Sequence, residues 1–214
     1  MTQRYILMGD IIRSRAYEAV KLRREFLQLI DSCNETLRHG ILSPYTVTLG
    51  DEFQGVASSL GDIIDAIFHM EEISLSHGFS FKIRYVAVYG HIDTPINRLE
   101  AYTMMGPGLT KARDILTDKG KNKRRFRFVL DDAYLENQLN RLFSVLAGLV
   151  ERWHAQDAAL VLDMLHNNSN KEVGTIHAKN RSQIWKRRKH LLIEEYRSLK
   201  ESIAEMAQNE QANE

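Results

Sequence analysis

Apolar and polar positions in the first 130 residues alternate between the period of a strand and the period of a helix. Short apolar or alternating stretches predict strands at residues 4–8, 45–49, 53–57, 79–88 and 126–130. Apolar residues spaced by three and four predict helices at residues 16–37, 61–77 and 109–116. The pair Gly50-Asp51 predicts a tight hairpin turn between the second and third strands.

The resulting order is strand, helix, strand, strand, helix, strand, helix, strand. A hairpin between two strand–helix units is typical of the split βαβ arrangement, so we predict an α+β fold with a ferredoxin-like N-terminal domain. This arrangement would place the first strand beside the hairpin in one antiparallel sheet, with the helices on one face. Along residues 79–88 the odd positions are apolar, whereas the even positions combine Lys82 and Arg84 with two valines.

Beyond the last predicted strand the spacing is helical throughout. Two apolar helices precede a short helix at 171–176, for which Asn170 is the predicted N-cap. After a turn near 178–181, one long helix is predicted from Ser182 toward Met206. A short helix, a turn and a longer helix follow the order of a helix–turn–helix motif, so we predict an all-α helix–turn–helix domain in this part of the chain.

These patterns divide the 214 residues into three parts. Residues 1–134 form the predicted α+β domain, which we expect to be nucleotidyl cyclase-like for the reasons given below. Residues 135–207 form the predicted helical domain. Residues 208–214 are polar, and we expect them to form a flexible tail.

Composition narrows the functional classes. Hydrophobic residues make up 43% of the chain, which excludes extensive disorder. The 29 basic and 28 acidic residues give a formal net charge of +1, so any binding of nucleic acid must come from a local patch. The single cysteine, Cys33, excludes an internal disulfide and favours a reducing cytoplasm. No stretch approaches about 18 apolar residues, so we expect a cytoplasmic protein without a membrane span.

The first candidate site consists of carboxylates in two segments. Asp10 follows the first predicted strand, and Asp51 and Glu52 lie at the hairpin turn. Because the two strands would be neighbours, these carboxylates can converge at one edge of the sheet. Divalent cations bind such oxygen ligands together with substrate phosphates, so we predict a Mg²⁺ or Mn²⁺ site formed by Asp10, Asp51 and Glu52. The alternative is that the same residues form only a turn and a helix cap.

Arg13, Ser14 and Arg15 follow Asp10 at the start of the first predicted helix. The N–H groups of a helix N-terminus and the guanidinium groups of arginine both suit phosphate oxygens. We therefore predict that these three residues bind the phosphates of a nucleotide held by the metal ion.

Two segments carry a family resemblance. Residues 8–15, MGDIIRSR, and residues 48–55, TLGDEFQG, together resemble the paired N-terminal signatures of SatD family proteins, which are small bacterial proteins of poorly defined function. That family also carries a helical C-terminal segment beginning with a Trp that is followed shortly by a Gln. Trp153 and Gln156 match this feature, so the resemblance covers most of the chain.

The carboxylate segments also resemble the metal site of a class of enzymes. Asp10 and the pair Gly50-Asp51 are similar to the two metal-binding aspartate positions of class III nucleotidyl cyclases. The hairpin also resembles the signature of diguanylate cyclases, with Leu49 in place of their first glycine. Residues 106–113 look like the glycine-led helix that carries the transition-state residues of cyclases.

On that helix the cyclase pattern is incomplete. The pattern requires an Asn and, four residues later, an Arg. If Arg113 is the arginine, Leu109 stands at the asparagine position; if Thr110 replaces the asparagine, Asp114 stands at the arginine position. The resemblance therefore implies nucleotide binding, with Gly50 and Arg113 in the site, more strongly than it implies cyclisation.

The second candidate site is the predicted recognition helix. Between Lys179 and Lys189 there are six basic residues and no acidic one. In helix–turn–helix proteins the N-terminal end of this helix reaches base edges while basic side chains hold phosphates. We predict a DNA-binding surface formed by Lys179, Asn180, Arg181, Ser182, Gln183, Lys186 and Arg187.

Within this surface we expect arginine and glutamine to read guanine and adenine. Ile184 and Trp185 are expected to pack on the preceding helices rather than contact bases. The alternative is a solvated basic helix with Glu194 and Glu195 as its intrachain partners.

Three functions follow, in order of preference. The first is a nucleotide- and metal-binding transcription regulator that binds DNA through the helix–turn–helix. We expect it to be a homodimer, because two recognition helices bind more tightly than one. The second is a two-metal enzyme that acts on nucleotides or nucleic acid. The third is a DNA-binding protein whose N-terminal domain only dimerises.

Overall fold

The computed structural model describes residues 2–118 and 124–211. Within these residues, five strands and eight α-helices form an α+β fold. In chain order they are β1 (Thr2–Ile11), α1 (Ala19–Thr36), β2 (Ile41–Val47), β3 (Glu52–Ala57), α2 (Leu60–Ser76), β4 (Ile83–Ile92), α3 (Pro107–Thr117), β5 (Phe126–Val129), α4 (Ala133–Val150), α5 (Ala158–His166), α6 (Asn170–Ile176), α7 (Arg181–His190) and α8 (Ile193–Gln211). Lys119, Lys121 and Lys123, which precede β5 in the sequence, lie outside the described residues.

The five strands form one mixed sheet in the order β2-β3-β1-β4-β5. β1 pairs antiparallel with both β3 and β4, and β2 pairs antiparallel with β3 as a hairpin. The prediction that the first strand lies beside the hairpin is therefore confirmed. β5 runs parallel to β4, so the sheet is not purely antiparallel.

Helices cover both faces of the sheet, so the prediction of helices on one face is wrong. Tyr5 and Leu7 of β1 belong to a core cluster that includes residues of α1, α2, α4 and α8. Ile6 and Met8 belong to a second cluster, which α3 covers. A strand whose consecutive residues are all apolar must be buried on both sides, and β1 follows this rule.

The central strands differ in length from the prediction. β1 continues through Asp10 to Ile11, because its whole length pairs with β4, from Thr2 opposite Ile92 to Ile11 opposite Ile83. Asp10 thus lies inside a strand rather than after one. β4 begins at Ile83, four residues later than the alternation of apolar residues indicated.

Helix α1 begins at Ala19, three residues after the predicted start. Glu18 is its N-cap, and the Glu18 carboxylate accepts hydrogen bonds from the backbone N–H groups of Val20 and Lys21, both at 2.8 Å. The preceding residues form a short 3-10 turn, Ser14–Ala16, entered through Arg13 in the left-handed region at a φ of 56°. The phosphate-binding residues predicted at a helix start therefore precede the helix.

The long helix predicted from Ser182 toward Met206 is two helices. α7 ends at His190 and α8 begins at Ile193, because Leu192 adopts a left-handed φ of 56°. Trp153 supports this break: its indole Nε1 donates to the carbonyl oxygen of Leu191 at 2.9 Å.

The cap of α6 also differs from the prediction, since Ser169, not Asn170, accepts the hydrogen bond from Glu172 N.

The predicted domain boundary crosses a shared core. Leu139 and Phe143 of α4 and Ile203 of α8 belong to the same cluster as the sheet residues. Helices α5, α6 and α7 contribute to a separate small cluster that includes Val173 and Ile184. The division into two domains stays a prediction.

α8 continues into the segment predicted as a flexible tail. Residues 208–211 are helical, and the Tyr5 hydroxyl donates to Glu210 Oε1 at 2.7 Å. Residues 212–214 lie outside the described residues. None of the helices in the described residues has the length and apolar character needed to cross a membrane.

Two glycines in α4 and α6 offer a matched test of the crossing between α6 and α7. A Cβ at Gly174 would overlap the carbonyl oxygen of Lys179, whereas a Cβ at Gly148 would meet nothing within 4 Å. Gly148→Ala should raise the free energy of unfolding by up to about 1 kcal/mol, which is the helix-propensity gain alone. Gly174→Ala should lower it by about 1–3 kcal/mol, because backbone must move. Urea denaturation measures both, and equal effects would contradict the close crossing.

Candidate functional site

Three charged side chains form a row across three adjacent strands, near the C-terminal end of β1. In the strand register, Asp10 of β1 lies opposite Glu52 of β3 on one side and opposite Arg84 of β4 on the other. Directly paired residues of antiparallel strands point to the same face. Ile6, Met8 and Asp10 are spaced by two residues along β1 and therefore share one face, so the row lies on the face that α3 covers.

Arg84 links this row to α3. Its Nη1 lies 3.3 Å from Asp10 Oδ2 and donates to the carbonyl oxygen of Leu116 at 3.2 Å. The side chains of Arg84 and Asp10 are only 14% and 23% exposed. An ion pair that is largely shielded from water interacts more strongly than a surface pair, so Arg84 balances the charge of Asp10.

At the other end of the row, the Glu52 carboxylate lies near two other carboxylates, those of Asp10 and Asp51. Burial raises the pKa of the Glu52 carboxyl above its ordinary value. Arg113 lowers this pKa, whereas the carboxylates of Asp51 and Asp10 raise it. Arg113 Nη1 is 4.0 Å from Glu52 Oε2, and its Nη2 donates to Gln54 Oε1 at 3.4 Å. Three carboxylates therefore interact, with Arg113 beside them on α3.

The structure brings the backbone of Asp51 next to the end of β1. The Ile11 N–H donates to the Asp51 carbonyl oxygen at 2.9 Å, and Gly50 precedes it with a φ of 83°. Among residues 2–118 and 124–211, however, no group of three or more His, Cys, Asp or Glu side chains has the arrangement to hold a metal ion. The Mg²⁺ or Mn²⁺ site stays a prediction.

The residues predicted to contact phosphate lie on the 3-10 turn that follows β1 and at the residue that enters it. Arg13 and Arg15 are exposed and Ser14 is half-buried. The first N–H groups of α1 are not available as a phosphate site, because the Glu18 carboxylate occupies them. Any phosphate held here would contact the arginine side chains and the turn rather than the N-terminus of α1.

Two members of this site, Arg84 and Gln54, do not follow from the sequence pattern. Arg84 was placed on the polar side of its strand but not linked to Asp10. Gln54 is buried on β3, where its Nε2 donates to the Ala101 carbonyl oxygen at 2.7 Å and its Oε1 accepts from Arg113. A polar residue inside an apolar strand was the available signal, since buried polar groups need hydrogen-bond partners.

The second candidate site is the α6–α7 pair. Gly174 is buried where the two helices cross, and its carbonyl oxygen accepts from Lys179 N at 2.8 Å. A Cβ at residue 174 would overlap the carbonyl oxygen of Lys179, so glycine is the residue that fits this crossing without a backbone shift. Asn180 begins α7 with a reciprocal capping box, in which Asn180 and Gln183 each accept the other's backbone N–H at 2.9 Å.

Basic side chains of α7 divide into two groups. Arg188 is buried and donates to the carbonyl oxygens of Met164 and Asn167, at 2.8 and 2.7 Å. Arg187 pairs with Asp157. In contrast, the remaining basic residues of the predicted DNA-binding surface are exposed: Lys179, Arg181 and Lys186, together with the polar Asn180, Ser182 and Gln183.

Two hydrophobic residues of α7 have opposite environments. Ile184 is fully buried, as predicted. Trp185 is 53% exposed, so the prediction that it packs on the preceding helices is wrong. The reason is helical geometry: Ile184 and Arg188 define the inward stripe, and Trp185 is rotated by about 100° from Ile184.

Glu52→Gln tests the charge crowding in the sheet. A raised pKa in the folded protein means that wild-type stability falls as pH rises from the ordinary carboxyl range through the folded pKa. The neutral variant escapes this loss, so it should melt at a higher temperature than wild type at pH 8, with the difference shrinking toward about pH 4. Glu35→Gln, at an exposed carboxylate of α1, is the control and should change little. A less stable Glu52→Gln protein at pH 8 would show that the Arg113 ion pair dominates.

Comparison with protein families agrees with the resemblance drawn from the two N-terminal segments. The SatD family model matches residues 5–203, a range that includes Asp10, Asp51, Glu52 and all of α7. Comparison with curated proteins finds no match. The matched range covers well over half of the chain, and the chain therefore belongs to the SatD family.

Proposed function

We propose that the protein is a DNA-binding regulator in which α5, α6 and α7 act as a helix–turn–helix. The observation that carries this proposal is the sorting of charges on α7. Arg187 and Arg188 are engaged inside the chain. In contrast, Lys179 in the turn before the helix, Arg181 at its first position and Lys186 near its middle are exposed to solvent. Exposed cations at the start of a recognition helix suit phosphates and base edges.

The alternative, a solvated basic helix balanced by neighbouring acids, has less support. Glu194 forms ion pairs with Arg188 at 3.1 Å and with Arg197 at 3.6 Å. Its carboxylate therefore neutralises the buried side of α7 and not the exposed cations. In the part of the chain that the structure describes, no ion pair engages Lys179, Arg181 or Lys186. These three charges remain available to a polyanion.

Roles on the DNA follow from the hydrogen bonds of α7. The side-chain amide oxygen of Gln183 accepts a hydrogen bond from the Asn180 N–H in the capping box. Gln183 can therefore bind adenine through both amide groups only if this hydrogen bond breaks. Arg181 and Ser182 are better placed for base edges. Lys179 and Lys186 would hold phosphates, and Arg187 would do so after exchanging Asp157 for a phosphate.

A second candidate function is nucleotide binding with Mg²⁺ or Mn²⁺ on the N-terminal sheet. The strand order β2-β3-β1-β4 supports a ferredoxin-like, nucleotidyl cyclase-like domain to which β5 is added. The specific observation is the mutual repulsion of Asp10, Asp51 and Glu52, which a bound cation would relieve. Gly50 and Arg113, with Arg13, Ser14 and Arg15, would contact the phosphates.

Turnover of the nucleotide has less support than binding. Leu109, at the position where cyclases carry an asparagine, is buried in the cluster beneath α3 and offers no polar group. We therefore rank a regulator that binds a nucleotide above a two-metal enzyme, and above a protein whose N-terminal half only dimerises. A homodimer would present two α7 helices to one DNA site.

The charge sorting on α7 predicts the salt dependence of DNA binding. Arg181→Ala with Lys186→Ala should weaken binding to duplex DNA and reduce the slope of log affinity against log salt by about 1, since the phosphate contact of Lys186 is lost. Arg23→Ala with Lys111→Ala removes the same charge from exposed sites on α1 and α3. Fluorescence anisotropy at several salt concentrations measures both. Equal slopes in the two double variants would refute the role of α7.

Nucleotide binding is tested by thermal shift with Mn²⁺ and each nucleoside triphosphate. Wild type should melt at a higher temperature with metal and nucleotide, whereas Asp10→Asn with Asp51→Asn should lose the shift, because the cation loses its charged ligands. Asp31→Asn with Asp93→Asn, at two exposed aspartates, should keep it. Circular dichroism checks that the variants fold. An equal shift in folded Asp10/Asp51 and Asp31/Asp93 double variants would exclude this site.

A further inference from the structure

We infer that Trp185 joins Arg181 and Ser182 in contacting bases, and that it reads the methyl group of thymine in the major groove. This inference rests on the proposed DNA-binding function and adds the residue and the base that it recognises. It is carried by the exposure, position and chemical surroundings of this one indole.

The two tryptophans of the chain have different environments. Trp153 packs against Tyr196, with ring centroids 4.8 Å apart, and its N–H donates to a backbone carbonyl. Trp185 leaves 53% of its surface exposed on a helix that is otherwise strongly polar. An indole buries a large apolar area when it gains a partner, which makes an exposed one well suited to a binding surface.

The outward face of α7 places this indole among cations. Ser182, Trp185, Lys186 and Lys189 follow one another at spacings of three, one and three residues, and all four are exposed. The opposite face holds the buried Ile184 and Arg188. The apolar ring therefore lies between a hydroxyl toward the helix N-terminus and two lysines toward its C-terminus. Such a stripe complements a polyanion that also offers apolar groups.

The capping box determines which groups remain for reading bases. It occupies the side-chain carbonyl oxygens of both Asn180 and Gln183, the two amides that would pair with adenine. On the outward stripe, Ser182 and Trp185 are left between the helix start and the lysines. In the major groove the apolar feature of a base pair is the C5-methyl group of thymine, and it matches the indole surface.

The test uses a short alternating A·T duplex and the same duplex with uracil in place of thymine, which deletes only the methyl groups. Wild type should bind the thymine duplex about fourfold more tightly for one buried methyl. Trp185→Ala should bind both duplexes equally, with an affinity close to that of wild type for the uracil duplex. Its salt slope should stay at the wild-type value, because no phosphate contact is lost.

A fluorescence measurement assigns the effect to the indole. In a Trp153→Phe background Trp185 is the sole tryptophan, and its emission should change on addition of the duplex. Tyr134→Ala removes an exposed aromatic ring from α4 and should leave both the affinity and the preference for thymine unchanged.

The outcomes separate the inference from the proposed function. Duplex binding that does not distinguish thymine from uracil, or that is the same in Trp185→Ala, overturns the inference and leaves DNA binding in place. Tighter binding to a single strand than to the duplex also overturns it, since the ring would then stack on unpaired bases. If wild type binds no duplex at all, the proposed DNA-binding function and the inference both fail.

Discussion

The N-terminal half of the protein depends on the backbone pairing of β1 with strands on both sides. Full pairing with β4 carries β1 through Asp10, and pairing with β3 sets Glu52 opposite the same residue. A shift of one residue would move these side chains to the other face of the sheet, into the cluster beneath α1 and α2. The strand register therefore fixes both the charged row and the two hydrophobic clusters beside it.

In the C-terminal half, Arg188 has a comparable organising role. Its guanidinium group reaches α5, the loop before α6 and Glu194 of α8, so it holds α7 in place from the inner side. A buried guanidinium is tolerated when its N–H groups have hydrogen-bond partners, and each of the three nitrogens of Arg188 donates to at least one acceptor. Arg188 is thus occupied by contacts within the chain. The exposed cations on the outer face of α7 are the ones that a ligand can bind.

Most elements of the fold could be predicted from periodicity, and the errors share a physical cause. The strand at Arg84 and the helices α2 and α3 follow from local apolar spacing. The extension of β1 over Asp10, the start of α1 after Glu18 and the break at Leu192 depend on pairing, capping and tertiary packing, which local spacing does not encode. The hairpin pattern predicts that the segments carrying Asp10 and Asp51 are neighbours. The Arg84 partner of Asp10 depends on the pairing of β1 with β4, which local spacing does not encode.

The proposed DNA-binding function places the outer face of α7 against duplex DNA. An amide NMR titration of the whole chain with a short duplex tests this most directly, because it reports every backbone position at once. We expect the largest shifts at Lys179, Arg181 and Lys186, together with the indole N–H of Trp185, and small shifts in the strands. Shifts concentrated on the sheet or on α1, or none at saturating DNA, would contradict the claim.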